Sequence, residues 1–296
     1  EYVGGLPAVL RSGDVVVVND SRRASGVLFA EYVDGGQVEL RLVKQDSPHT
    51  FLARVFPCHS ARPGAKLLAG THVLGIEDGP HGPHGLYKLS SIDALETVLA
   101  AHGLPITSFF YDGYFELDNY NPFYACAEGS FESPMAGLHL SEEIVAELRH
   151  KGIEFVTLTH HVVGSWLAPL EEEIEAMAMT EEAFTIPEAT ASAIRIAKLR
   201  NKRILAVGST CVRALESACG DDGVPVAGAA TTRLCIRPGF RFRCVDAYLT
   251  SFHPARSSLM VLDAAFCGVG LLQTAYRHAN RERYMFLEFG DAVLYL

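Results

Sequence analysis

Several things are scarce in this 296-residue chain. No run approaches the ~18 uninterrupted apolar residues of a membrane-spanning helix, so none is expected. The opening Glu1-Tyr2-Val3-Gly4-Gly5 is not a cationic targeting segment. Seven cysteines, at positions 58, 126, 211, 219, 235, 244 and 267, form no Cys-x-x-Cys pair and are odd in number. That argues against a zinc knuckle and a disulfide framework alike; reduced, mostly buried thiols point to a cytoplasmic protein without a metal site. Positive charge is also in deficit, with 25 Lys and Arg against 35 Asp and Glu and a formal net charge of -10. That weighs against a globally basic surface for nucleic acid and leaves phosphate contact to a local strip. Arg237, Arg241 and Arg243 form one such cluster, and Arg277, Arg281 and Arg283 another. Charge alone favours reading both as solvated strand edges or helix faces.

What is present is apolar residues at 49%, enough for a sizeable core and for one large domain or two ordinary ones. Asp14 to Val18 reads as a buried strand. Short β-type runs follow at 27–33, 37–43, 51–56 and 66–76, separated by turn signals such as Asp34-Gly35-Gly36 and Arg62-Pro63-Gly64, as in a small antiparallel barrel. Ser91 then caps a helix reaching about His102, and residues 105–135 read as a long loop. From Ser141 the order alternates: a helix to Gly152, a strand from Ile153, a helix from Pro187 to about Arg200, a strand Ile204–Val207 and a helix from about Cys211. The fold class is therefore α/β, with residues 1–25 and 90–296 as one domain and a β-rich module at 26–89 inserted into it.

Four segments carry candidate chemistry. In Ala206 to Glu216, a strand enters the Gly208-Ser209-Thr210 turn and opens a helix, so free N–H groups and the helix dipole favour a carboxylate or phosphate. Taken alone, the turn favours simple helix capping. In Ser133 to His139, Gly137 permits close backbone approach and His139 can exchange protons near neutral pH. His160 and His161 end a strand and point to opposite faces, so at most one faces a common site and the pair is not a metal site. In Ile236 to His253, Asp246 lies on a strand with His253 at its exit; an acid/base set and a buried structural Asp are equally compatible with that pattern.

In this order, these segments resemble the S-adenosylmethionine:tRNA ribosyltransferase-isomerase family. The family's Pro-Thr-Ala-Gly-Leu-His-Phe is similar to Pro134 through Leu140. Its Phe-Val-Thr-Leu-His-Val-Gly resembles Phe155 through Gly164, and its Ala-Val-Gly-Thr-Thr-Ser-Val-Arg-Thr-Leu-Glu resembles Ala206 through Glu216. Tyr-Pro-Gly-Tyr-Arg-Phe with Val-Asp-Ala-Leu-Ile-Thr-Asn-Phe-His is similar to Arg237 through His253. The C-terminal Arg-Tyr-Arg-Phe-Phe-Ser-Tyr-Gly-Asp-Ala-Met resembles Arg283 through Val293, and the early Pro-Gly-Asp-Leu-Leu-Val-Phe-Asn-Asp-Thr-Arg resembles Ser12 through Arg22. The resemblance implies a barrel-like α/β domain carrying an inserted antiparallel β-barrel. It implies an enzyme of queuosine biosynthesis that consumes S-adenosylmethionine (SAM) as a substrate. Its ribosyl part is transferred to the aminomethyl group of a 7-deazaguanine in tRNA, releasing adenine and methionine. On that reading Asp246, Glu182 and His253 are candidates for proton transfer and His139 for a polar contact to the nucleoside. Gly137, Leu138, His161, Gly208, Ser209, Thr210 and Arg213 are candidates for binding SAM, with Arg213 expected to pair with Glu216 across one helical turn.

The chain departs from the family in places. Ile-Glu-Asp-His-x-Met-His-x-Glu is replaced by Ile174 through Glu182, with Met177 and Thr180 in the altered stretch and one carboxylate position surviving as Glu182. The Gly-Thr-Phe-x-Pro segment becomes Gly164 through Pro169, the Asn before Phe-His becomes Ser251, and the Pro-Pro-Tyr-Ile loop becomes Ser108 through Tyr111. Both family histidines are lost from the 174–182 stretch. With the acidic charge, that favours an alternative in which SAM is bound but the acceptor is a small molecule, or SAM is cleaved without tRNA. A third reading, an inactive RNA-binding relative, is opposed by the retained Asp246, His253 and Gly208-Ser209-Thr210.

Overall fold

The computed structural model describes residues 2–57, 61–81, 85–107, 113–132, 134–162, 174, 177, 179–287 and 289–296. The altered stretches at 108–111 and 164–169, and residues 175, 176 and 178 of the 174–182 stretch, lie outside the described residues.

Four valines in a row make β1 (Val15–Asn19) hydrophobic on both faces, as the centre of a parallel sheet requires. It lies between β10 (Glu154–His160) and β12 (Ile204–Val207), both parallel to it, and β12 is followed by the parallel β14 (Ala247–Ser251). Antiparallel strands finish both sides: β11 (Glu182–Ile186) and β13 (Gly228–Thr232) beyond β10, and β15 (Ala292–Tyr295) beyond β14. The sheet order is β13-β11-β10-β1-β12-β14-β15. Alternate residues feed two cores. Val15, Val17, Ala206 and Tyr248 pack in the cluster shared with α4 (Glu188–Leu199), α5 (Ser209–Ala218), α6 (Ser258–Cys267) and α7 (Val269–Arg281). Val16, Val18, Leu205 and Leu249 pack on the other face with α1 (Leu6–Val9) and α3 (Glu142–His150). Ser141 Oγ caps α3 by accepting from the Ile144 N–H at 3.4 Å, as its Ser-Glu-Glu start predicts.

The inserted module is a closed barrel of order β3-β4-β5-β8-β7-β6. Its strands are β3 (Val27–Tyr32), β4 (Gln37–Ser47), β5 (Thr50–Phe56), β6 (Lys66–Ala69), β7 (His72–His81) and β8 (Leu86–Ser91), all paired antiparallel. The run 66–76, expected as one strand, is two strands, because Gly70 (φ 59°) reverses the chain between Ala69 and His72. The barrel core extends past the expected limit at residue 89: Leu95 and Val98 of α2 (Leu95–His102) and Ile106 are buried in it. Chain entry and exit meet in one bridge, where Val27 N–H donates to Leu104 O at 2.8 Å and Leu104 N–H to Val27 O at 2.9 Å. The expected loop 105–135 contains β9 (Ala127–Ser130), which pairs in parallel with β2 (Ser21–Arg23).

Asp14 fixes the base of the sheet. Its carboxylate accepts from the N–H groups of Arg203 (3.0 Å) and Arg11 (2.9 Å) and from Arg203 Nη2 (2.9 Å). Burial opposes its charge, but these hydrogen bonds, with the Arg203 guanidinium, hold the carboxyl below its ordinary pKa. Because the folded value is depressed, the stabilisation is complete above the unfolded value of about 4 and is lost as pH falls through the folded value. Asp14→Ala is expected to lower unfolding free energy by about 2 kcal/mol at pH 7. Urea titrations of both proteins should converge toward acid pH; a pH-independent difference overturns the assignment.

Candidate active site

The parallel strands β1, β10, β12 and β14 all end on one side of the sheet, where α/β sheets place their ligand crevices. The side chains at these ends form a buried polar assembly. Asn19, last residue of β1, donates from Nδ2 to the His160 carbonyl at 2.9 Å and to Thr210 Oγ1 at 3.3 Å. Its Oδ1 accepts from the N–H groups of His160 and Ser21, each at 3.0 Å. One side-chain amide thus joins β1, β10, β2 and the start of α5.

His160 is fully buried; Nδ1 lies 3.0 Å from the Thr210 carbonyl and Nε2 lies 2.9 Å from Glu182 Oε2. The His160 ring thus stands between two acceptors, the Thr210 carbonyl at Nδ1 and the Glu182 carboxylate at Nε2. The same Glu182 oxygen accepts from Arg213 Nη1, while Arg213 Nε donates to the Leu234 carbonyl at 3.0 Å. The expected Arg213–Glu216 pair is therefore corrected. Glu216 instead accepts from the backbone N–H groups of Arg243, Cys244 and Val245. Arg213 Nη2 is buried without a hydrogen-bond partner among the described residues.

Gly208 (φ 88°) occupies a conformation that an L side chain rarely adopts, and it brings β12 directly into α5 with no side-chain cap. The helix begins at Ser209, two residues earlier than the sequence pattern suggests, so its first-turn N–H groups lie directly after the end of β12. Over this turn lies the 3-10 segment Met135–His139; a Cβ on Gly208 would stand 3.5 Å from the Ala136 side chain. Gly137 is required by packing, since a Cβ there would collide with the Tyr124 hydroxyl. His139 Nε2 lies 2.9 Å from Ser251 Oγ at the end of β14. Burial pushes the His139 pKa down, with the charge of Asp291 opposing, so the ring is neutral at pH 7. Leu138 is half-buried in the same segment. His161, one residue beyond β10, turns away from His160 toward β9, with Nδ1 2.9 Å from Ser130 Oγ. Burial lowers its pKa, His160 adds to that, and Asp20 opposes.

A second buried set begins two residues past β14. His253 Nδ1 lies 2.8 Å from Asp263 Oδ2, and Nε2 lies 3.3 Å from Thr250 Oγ1. The His253 N–H donates to the Tyr276 hydroxyl at 2.9 Å.

Asp246 is not part of either set. It precedes β14 at the opposite end of the sheet, where it pairs with Lys198 at 3.0 Å and accepts from the Ile204 N–H at 2.9 Å. The expectation that it transfers a proton with His253 is corrected, because the length of β14 separates the two. The arginine strip is likewise divided. Arg237 donates to the Met177 carbonyl, whereas Arg243 lies at the Asp246 end, 3.9 Å from Asp221. Asn19, Asp263 and Thr250 were missed as site residues; Asn19 sits in the Asn-Asp motif quoted above, whereas nothing local marks Asp263. Among the described residues, no three His, Cys, Asp or Glu side chains group as metal ligands.

This is the architecture of an α/β enzyme with an inserted antiparallel barrel, and its buried polar assembly lies at the strand ends. A sequence model of the family described as "Queuosine biosynthesis protein" matches residues 1–295, and the chain belongs to that family. It is 37% identical over 304 residues to an S-adenosylmethionine:tRNA ribosyltransferase-isomerase from Nitrosospira multiformis, covering 98% of this chain and 85% of the relative. It is 37% identical to an enzyme of the same name from Thermus thermophilus, covering 99% and 87%. The crystal structure of S-adenosylmethionine tRNA ribosyltransferase from Thermotoga maritima is similar over 99% of this chain and 86% of that one, at 27% identity and a TM-score of 0.51.

Glu182 and Arg213 are almost completely buried as a charged pair. Removing one partner strands the other charge, so Glu182→Ala is expected to cost about 3–5 kcal/mol, and Arg213→Met in the same chain should restore part of it. Guanidinium denaturation of the two single variants and the double variant measures the coupling. Additive losses would show that the pair does not act as a unit.

Proposed function

We propose that this chain transfers the rearranged ribosyl part of SAM to a 7-aminomethyl-7-deazaguanine in tRNA, releasing adenine and methionine. The observation that carries the reading is the convergence of Gly208-Ser209-Thr210, His139–Ser251 and His160–Glu182–Arg213 at the strand ends, in a chain that matches the family end to end. The N-terminus of α5 suits the methionine carboxylate: its first N–H groups have no intrahelical acceptor and its dipole favours an anion. Arg213, one turn into α5, has a buried Nη2 donor without a partner among the described residues, suited to the same anion. His139, kept neutral by burial, is suited to a hydrogen bond with the nucleoside. Loss of adenine requires a proton and ylide formation at C5′ requires a base; His253 is the imidazole at the strand ends held for such exchange. Glu182, in contact with His160 Nε2 and Arg213 Nη1, is suited to holding both in place. His161, directed at Ser130, and Leu138 border the site.

For the tRNA, the structure favours a different basic face from 237–243. Arg277, His278 and Arg281 are exposed on the C-terminal half of α7, and Arg283 follows. That half adjoins the strand ends: Tyr276 receives the His253 N–H, and the rings of Tyr276 and Tyr284 pack on Phe252. Phosphate neutralisation there lies next to the chemistry.

Ser209→Pro tests the carboxylate site. Proline is suited to the first helical position and removes one N–H without breaking α5. Calorimetry should show SAM affinity reduced about ten-fold, the scale of one charge-assisted hydrogen bond; unchanged affinity in a folded variant moves the carboxylate elsewhere. Arg277→Glu with Arg281→Glu should reduce binding of a tRNA stem-loop at least about ten-fold and flatten its salt dependence, leaving SAM affinity unchanged. Equal SAM turnover with and without RNA would instead support the small-molecule acceptor.

A further inference from the structure

His253 sits in an environment that its own strand does not explain. Asp263, half-way along α6, is completely buried, and its only ion-pair partner among the described residues is His253, 2.8 Å away. An apolar residue would be the ordinary choice at this helix position: Val261 and Leu262 beside it are core residues. A carboxylate buried without a lysine or arginine partner is costly, so a structural role alone would select against it.

Groups from every neighbouring element face the same carboxylate. The hydroxyls of Tyr248 on β14, Tyr276 on α7 and Tyr295 on β15 all have pKa values raised by burial first and by the charge of Asp263 next. Cys267, one turn further along α6, is raised by burial and then by the same charge. Among these groups His253 alone is basic, and its ring is tied at both nitrogens and, through the Tyr276 hydroxyl, at the backbone.

We propose that Asp263 is a positioning residue: it holds the Nδ1–H tautomer of His253 and thereby leaves the Nε2 lone pair, on the Thr250 side of the ring near the end of β14, as the nitrogen available for proton transfer. A carboxylate accepts only, so Nδ1 must donate to it, and Nε2 is left to receive the Thr250 hydroxyl proton or a substrate proton in its place. The orienting carboxylate, imidazole and hydroxyl stand in the order used wherever an imidazole must present one defined nitrogen to a reaction. This rests on the reading of His253 as the proton carrier of the proposed reaction, and the test separates the two.

The first measurement requires no turnover. Nitrogen-15 NMR of the imidazoles in the unsubstituted protein, with His253 assigned through His253→Gln, should show His253 as the Nδ1–H form. An Nε2–H form overturns the proposal. In Asp263→Asn the side-chain amide can donate to Nδ1, so the proton should move to Nε2; an unmoved proton also overturns it. The second measurement is adenine release with SAM and deazaguanine-bearing tRNA. Asp263→Asn should lower kcat at least about 100-fold, with KM for SAM within about two-fold. A proton that moves while kcat stays unchanged shows that His253 is not the proton carrier. Should Asp263→Asn not fold, the NMR of the unsubstituted protein still decides the tautomer, and Thr250→Val, which removes the hydroxyl at nearly constant volume, should shift the Nε2 resonance of His253.

Discussion

Buried charge has to be answered on the spot, and this requirement organises the strand ends. Glu182 is taken out of water at the start of an antiparallel strand, so Arg213 must come to it from α5 and His160 from β10. Those two contacts draw three elements together, and the Asn19 amide ties the fourth by satisfying the His160 backbone and Thr210. With Arg213 and His160 so anchored, α5 cannot rotate about its axis, and the Gly208 turn stays aimed at the strand ends. The orientation of the Gly208 turn follows from the pairing of buried charge one layer below it.

Much of the frame was legible. The four consecutive valines of β1, the turn-punctuated strands of the 26–89 module and the helix–strand alternation from Ser141 all express short-range rules of periodicity and turn chemistry, whereas Ser91, expected as a helix cap, ends β8. What escaped was non-local. β11, β13 and β15 are short antiparallel strands whose identity depends on the neighbour they pair with, and Thr232 or Ala292 carries no local sign of it. α6 went unread for a related reason: it is apolar nearly all round because it packs among α7, β14 and the aromatic side chains of the core.

At the site, the same division holds. Gly208, His139 and His253, singled out by motif order, lie at the same strand ends because backbone turns and strand exits are written in consecutive residues. Asp246 is expected beside His253 because a strand reads alike from either end, and only the sheet shows that the two lie at opposite ends of β14. Arg213 was given the wrong partner because helical spacing reports what is near along one helix. A side chain directed inward takes the partner that the tertiary fold supplies, here across 31 positions of sequence.

The single bridge between Val27 and Leu104 has an evolutionary consequence. Because the barrel leaves and rejoins the main chain across one hydrogen-bonded pair, the path from β2 to β9 has the same end-to-end span whether it carries six strands or a tight turn. The conformational entropy of closing that path grows only with the logarithm of its length, so enlarging or exchanging the insert perturbs the parent sheet very little. The barrel is thus free to diverge at a pace of its own, a detachable heirloom passed along with a frame that has to stay fixed.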